Sequence, residues 1–68
     1  MEKVKIKTEF IKLDQFLKWT GIADYGSDAK ELIYDGKVKV NGEIEIKRGR
    51  KLRIDDVVEY DGKAFRIE

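Results

Sequence analysis

Apolar positions recur every second residue at the start of the chain, at helical spacing through its middle, and every second residue again towards its end. Val4-Lys5-Ile6-Lys7-Thr8 alternates, which predicts a half-buried strand with its lysines in solvent. Lysines on an exposed strand also keep a sheet edge from pairing with other molecules. In the stretch from Lys12 to Thr20, Leu13, Phe16, Leu17 and Thr20 fall at i, i+3, i+4, i+7, one face of a helix. Lys12, Gln15, Lys18 and Trp19 lie off that face, and Gly21 supplies a C-terminal stop. Trp19 is expected to be partly buried against the sheet, because a small core needs large aromatics. Exposed, its ring would be available to stack on a base.

Ile22 is expected in the core between two helices, and Tyr25-Gly26 reads as a turn. Ser27 has the chemistry of an N-cap, and Asp28 suits the positive end of the helix that follows. Ala29, Leu32, Ile33 and Gly36 repeat the helical spacing, with Gly36 as the stop. A helix this short needs a surface to dock on.

Lys37-Val38-Lys39-Val40, Asn41-Gly42 and Glu43-Ile44-Glu45-Ile46 form a hairpin signal with an internal conflict. A two-residue turn pairs Val40 with Glu43. Pairing Val40 with Ile44 and Val38 with Ile46 keeps all four apolar residues on one face, and needs a longer loop or a bulge. Burial is expected to win, giving an irregular turn with Lys37 and Lys39 outward. Leu52 and Ile54 should return to the core, with Asp55-Asp56 as a turn. Val57 to Tyr60 and Ala64 to Ile67 read as strands joined by Asp61-Gly62. The order predicts an α+β fold, two short helices packed on one side of a small, mostly antiparallel sheet.

With 68 residues, one domain spanning 1–68 is expected. A hydrophobic content of 41% suffices for one small core. The net charge of +1 would argue against a nucleic-acid binder, were the charges evenly spread. They are not. From Lys37 to Arg53 seven bases face two acids, a net +5, whereas residues 54–68 net −3 and the first 36 residues net −1. A basic segment beside an acidic tail points to a polyanionic partner.

The chain holds no Cys and no His, which excludes disulfides and zinc sites built from those residues. It has no apolar run of membrane-spanning length and no signal-peptide pattern, so a cytoplasmic protein without a membrane partner is expected. A monomer is expected as well. Carboxylates are plentiful but form no acid–base pair, and Asp55-Asp56 reads as a turn rather than an ion site. No glycine-rich phosphate loop or nucleophile motif occurs. The chain reads as non-enzymatic, with no catalytic residue, metal or cofactor.

The candidate chemistry lies in the basic cluster. Lys37 and Lys39 on a strand, with Lys47, Arg48, Arg50 and Lys51 on the next loop, are expected to form a continuous phosphate-contacting edge. Gly49 would let the loop backbone approach a ligand closely.

Three stretches carry a resemblance: Lys12-Leu13-Asp14-Gln15-Phe16-Leu17-Lys18; Ser27 with Ala29-Lys30-Glu31-Leu32-Ile33; and Gly36-Lys37-Val38-Lys39-Val40-Asn41-Gly42. Together they resemble the RNA-binding domain named after small-subunit ribosomal protein S-four (the αL motif). Arg48-Gly49-Arg50-Lys51-Leu52 and Asp56-Val57-Val58 are similar to the rest of that pattern, in its small stand-alone bacterial branch. The resemblance implies two helices and a hairpin contacting structured RNA, ribosomal or transfer RNA, with the ribosome as an expected partner. It places RNA contacts at Lys12, Ser27, Lys30, Lys37, Lys39, Asn41, Arg48, Arg50 and Lys51. Two positions depart from the pattern: Asp28 where many members carry Arg, and Asp55 where many carry Gly. Structured RNA is read largely through backbone and 2′-hydroxyl geometry, so few base-specific residues are needed. The alternative is a protein-interaction adaptor on the same scaffold, using the acidic tail and Tyr25, Tyr34 and Tyr60. Duplex DNA is disfavoured, because no long recognition helix is predicted.

Overall fold

A computed structural model describes residues 1–68. The elements run β1 (Glu2–Val4), β2 (Ile11–Lys12), α1 (Leu13–Trp19), α2 (Gly26–Tyr34), β3 (Val38–Val40), β4 (Glu43–Ile44), β5 (Lys51–Leu52), β6 (Val57–Tyr60) and β7 (Lys63–Ile67). Five strands form a sheet in the order β1-β7-β6-β3-β4, and β2 with β5 makes a separate ribbon. Every pairing is antiparallel except β1 with β7. The architecture is the α+β arrangement that the periodicity predicts.

The core follows from the same periods. Leu13, Phe16 and Leu17 of α1 meet Ala29 and Ile33 of α2, and both sets pack on Val38, Val40, Val58, Phe65 and Ile67 of the sheet. Leu52 enters from the ribbon. Phe16 stands edge-on to Phe65 with ring centroids 5.9 Å apart, a favoured geometry for an aromatic pair.

Gly36 ends α2 with a left-handed φ of 73°. The Gly36 amide donates to the Ile33 carbonyl and the Lys37 amide to the Leu32 carbonyl, both at 3.1 Å. This paired closure satisfies two carbonyls that a helix end leaves free, and it launches β3 directly.

Several details differ from the sequence pattern. The hairpin keeps the two-residue turn: Val40 pairs with Glu43, and Lys39 with Ile44. Asn41 and Gly42 take φ of 53° and 84°, the left-handed pair that a type I′ turn needs and that Asn-Gly supplies cheaply. Ile44 and Ile46 therefore face outward, each 59% exposed. The inner position just after this strand belongs instead to Glu45, whose carboxylate Arg50 holds. Ile44 gains only partial cover, its Cγ2 lying 3.6 Å from where a Cβ on Gly36 would stand. An edge strand of two residues has too little to bury to override its turn.

Trp19 is 57% exposed rather than buried. It sits roughly 200° around the helix from Leu17, off the buried stripe and beside Lys5, Ile6, Lys7, Thr8 and Ile11. Ser27 does not cap α2, which opens one residue earlier at Gly26. The Tyr25 carbonyl accepts the Ala29 amide at 3.1 Å, so Tyr25 holds the cap position and Ser27 lies within the first turn. Ile54 is exposed at the tip of the Arg53–Asp56 turn, where the Asp56 amide donates to the Arg53 carbonyl and the Asp56 carboxylate accepts the Arg53 amide. The first strand spans Glu2–Val4, not Val4–Thr8. Two further bonds, Glu68 amide to Val4 carbonyl and Ile6 amide to Glu68 carbonyl, continue its pairing until β7 offers no more partners. Tyr60 is half-buried against the core, whereas Tyr25 and Tyr34 are exposed.

Candidate nucleic-acid interface

The basic loop and the first helix are fastened together through their backbones. A helix begins with amides that have no partner inside it. In α1 the Leu13 amide donates to the Arg50 carbonyl at 2.8 Å, and the Asp14 amide donates to the Arg48 carbonyl at 3.0 Å. The Gln15 amide donates to the Asp14 carboxylate at 2.8 Å. The loop thus caps the helix with carbonyls, which leaves the Arg48 side chain in solvent.

The ribbon adds the next layer. Ile11 pairs with Leu52 and Lys12 with Lys51, so two bases from distant parts of the chain stand side by side. Phe10 lies beneath Lys51 and Arg53. The Lys51 Nζ is 4.8 Å from its ring centroid, and the Arg53 guanidinium carbon is 5.7 Å away. Both distances suit cation–π attraction, which holds these long side chains against one aromatic ring. Lys12, Lys47, Arg48 and Lys51 are exposed, and Arg53 extends the same face.

Arg50 is used differently. Its guanidinium donates to the Glu45 carboxylate at 2.8 Å, and that carboxylate also accepts the Lys47 amide at 3.0 Å. The Arg50 hydrogen bond holds the Glu45 carboxyl below its ordinary titration range, against the opposing effect of burial. Arg50 braces the loop from within.

Asn41 is likewise committed to the fold. Its side-chain carbonyl accepts the Val57 amide at 2.9 Å, and its side-chain amide donates to the Asp56 carboxylate at 3.1 Å. Lys37 and Lys39, both exposed, border a shallow cleft with Glu59, Tyr60, Asp61 and Gly62. Lys39 stands between Ile44 on one neighbouring strand and Glu59 on the other. The continuous edge expected from sequence is therefore interrupted by Glu45 and Glu59.

Helix α2 has two exposed flanks of different character. Ser27, Lys30 and Tyr34 share one face at i, i+3, i+7. On another, Asp24, Asp28, Glu31 and Asp35 line a cleft with Ile22, Leu32, Lys37 and Tyr60. Asp28 thus joins an acidic face rather than the basic one. Gly49 has open space around its Cβ position and no left-handed φ, so local packing does not demand a glycine there.

Phe10 and Arg53 were not singled out by the sequence pattern. Arg53 lies within the basic run, but its place beside Lys51 depends on the ring of Phe10, which belongs to no recognisable periodicity.

The model of the S4 domain family matches residues 4–68. This chain belongs to the S4 domain family. It is 44% identical over 59 residues to "Probable ribosome maturation protein RlbA" of Bacillus subtilis, covering 87% of this chain and 83% of that protein. It is 41% identical over 57 residues to an uncharacterized RNA pseudouridine synthase of Aquifex aeolicus, covering 82% of this chain but 22% of that protein. Its fold matches the solution structure of YbcJ from E. coli, described as revealing an αL motif involved in RNA binding. That match has a TM-score of 0.72 and 28% identity, over 98% of this chain and 86% of the other. The S4 domain and its αL motif are the fold and family that the helix–glycine–hairpin pattern resembles.

Proposed function

We propose that this chain is a non-catalytic RNA-binding protein that takes structured ribosomal or transfer RNA on the face built from Lys12, Lys47, Arg48, Lys51 and Arg53. One observation carries the reading: the Arg48 and Arg50 carbonyls fasten the basic loop onto the start of α1, beside the Lys12–Lys51 pair. Exposed bases are thereby gathered on rigid backbone, which lowers the ordering cost of gripping phosphates. Lys30 and Ser27 extend the surface along α2, where the resemblance places contacts. Lys37 and Lys39 contribute less, because Glu59 and Asp61 share their cleft.

The named relatives support this reading. One is a ribosome maturation protein by name, and the structural match carries an RNA-binding motif. The synthase of Aquifex aeolicus is matched over 22% of its length, so its catalysis is not carried over. Glu45 and Arg66 are each held chiefly by one ion pair within the fold, to Arg50 and to Asp55.

The test is a titration of labelled ribosomal RNA fragments, transfer RNA and duplex DNA across a range of salt. Folded RNA should bind in preference to duplex DNA. The logarithm of affinity should fall with the logarithm of salt at a slope of roughly −3 to −4, as expected for four or five phosphates. Salt-insensitive binding, or equal binding of duplex DNA, would overturn the proposal.

A further inference from the structure

The exposed indole of Trp19 forms one wall of a cleft of about 320 Å³, completed by Lys5, Ile6, Lys7, Thr8 and Ile11. We infer that this cleft receives an unpaired nucleobase of the bound RNA, stacked on Trp19 with its flanking phosphate on Lys5 and Lys7. The inference rests on the RNA-binding reading above and adds to it a subsite that the basic face does not contain.

The lining selects the occupant. Trp19, Ile6 and Ile11 give flat and apolar walls, and the charged groups on the lining are two ammonium groups with no carboxylate among them. A nucleotide presents the matching combination, a planar base joined to an anion. Stacking tolerates any base, because each has a π face, and so needs few specific hydrogen bonds. The Thr8 hydroxyl is already used, donating to the Phe10 carbonyl at 2.8 Å.

Continuity with the basic face favours RNA over a protein segment. Ile11 lines the cleft, and the next residue, Lys12, pairs with Lys51. Gln15 and Trp19 lie one helical turn apart on α1, so an exposed track runs from Lys12 past Gln15 to the indole. At 1.5 Å per residue that track is roughly 10 Å long. A strand leaving the Lys12–Lys51 pair can reach it. Bases within a duplex offer no free face, so the RNA must carry an unpaired nucleotide beside its folded part.

Trp19 is the one tryptophan of the chain, which makes its emission a reporter of this cleft alone. The experiment uses two RNA hairpins, each closed by a non-nucleotide linker so that neither has unpaired loop bases, one with a single-stranded oligoadenosine flank and one blunt-ended, with affinity read independently from a label on the RNA. The flanked hairpin should quench Trp19 and the blunt one should not. Trp19→Leu should weaken the flanked hairpin roughly 5- to 100-fold and leave the blunt one unchanged. Far-UV circular dichroism should be unaltered, because the indole is exposed. Binding of the flanked hairpin without quenching, or with equal affinity for Trp19→Leu, overturns this inference and leaves the basic face standing. Absence of RNA binding in both readouts overturns the two together. A protein segment that quenches Trp19 where the flank does not assigns the cleft to a different partner and overturns it as well.

Discussion

The Arg50 guanidinium donates to the Glu45 carboxylate at 2.8 Å, and this ion pair sits inside the loop whose carbonyls cap α1. The Glu45 side chain is 13% exposed and that of Arg50 37%. The pair therefore lies at the base of the basic surface, between the loop and the hairpin, and acts on its shape.

The pair predicts a pH dependence. The folded state holds the Glu45 carboxyl below its ordinary value, so the unfolded chain binds the proton more readily. The contribution is present above the ordinary glutamate pKa and is lost as pH falls through the lowered folded value. Solvent screening at the partly exposed Arg50 limits it to about 0.5–1 kcal/mol. Thermal melting from neutral pH into the acid carboxylate range should show this loss, and Glu45→Gln should remove that part of the dependence.

Phosphate contacts predict a change of slope as well as of affinity. Replacing Lys12, Arg48 and Lys51 together with alanine removes three exposed cations and leaves the Arg48 carbonyl in place to cap α1. Circular dichroism should be unchanged. The salt slope of RNA binding should become shallower by roughly 2–3 units, measured by titration at several salt concentrations. An unchanged slope would move the interface elsewhere.

Asn41 separates stability from binding. Asn41→Ala removes both side-chain bonds to the Asp56–Val57 turn and the residue's tolerance of a φ of 53°. The expected cost is about 1–3 kcal/mol in chemical denaturation. The affinity of the folded fraction for RNA should stay within about twofold, since the side chain is spent inside the protein.

The hairpin register gives a sharp contrast. Ile44→Ser alters a 59% exposed side chain and should change stability by no more than about 0.5 kcal/mol. Ile33→Ala empties a fully buried site and should cost roughly 2–5 kcal/mol, much of the stability of a domain this size. A large loss for Ile44→Ser would restore the alternative register, in which Val40 faces Ile44.

Local chemistry determined much of this protein. The spacing of Leu13, Phe16 and Leu17 and of Ala29 and Ile33 defined the buried faces of both helices, because each stripe repeats at the helical period over the whole element. Gly36 and the turn residues Asn41-Gly42 and Asp61-Gly62 marked where the chain reverses, since all five adopt left-handed backbone. The segregation of charge along the chain points to a polyanion whatever the fold.

Tertiary structure decided what long-range contacts control. The turn's backbone preference overrode the burial of Ile44 and Ile46, which two-residue pairing at a sheet edge could not secure. Trp19 went to solvent because it falls outside the Leu13, Phe16 and Leu17 stripe that the core takes up. The proposed interface depends on α1 needing partners for its first amides. Carbonyls of a loop some thirty-five residues later supply them, at Arg48 and Arg50. The same closure sets Lys12 beside Lys51, directs Arg50 inward to Glu45 and leaves Arg48 outward. Which bases stand exposed and which hold the loop is a question of that closure, and no local periodicity encodes it.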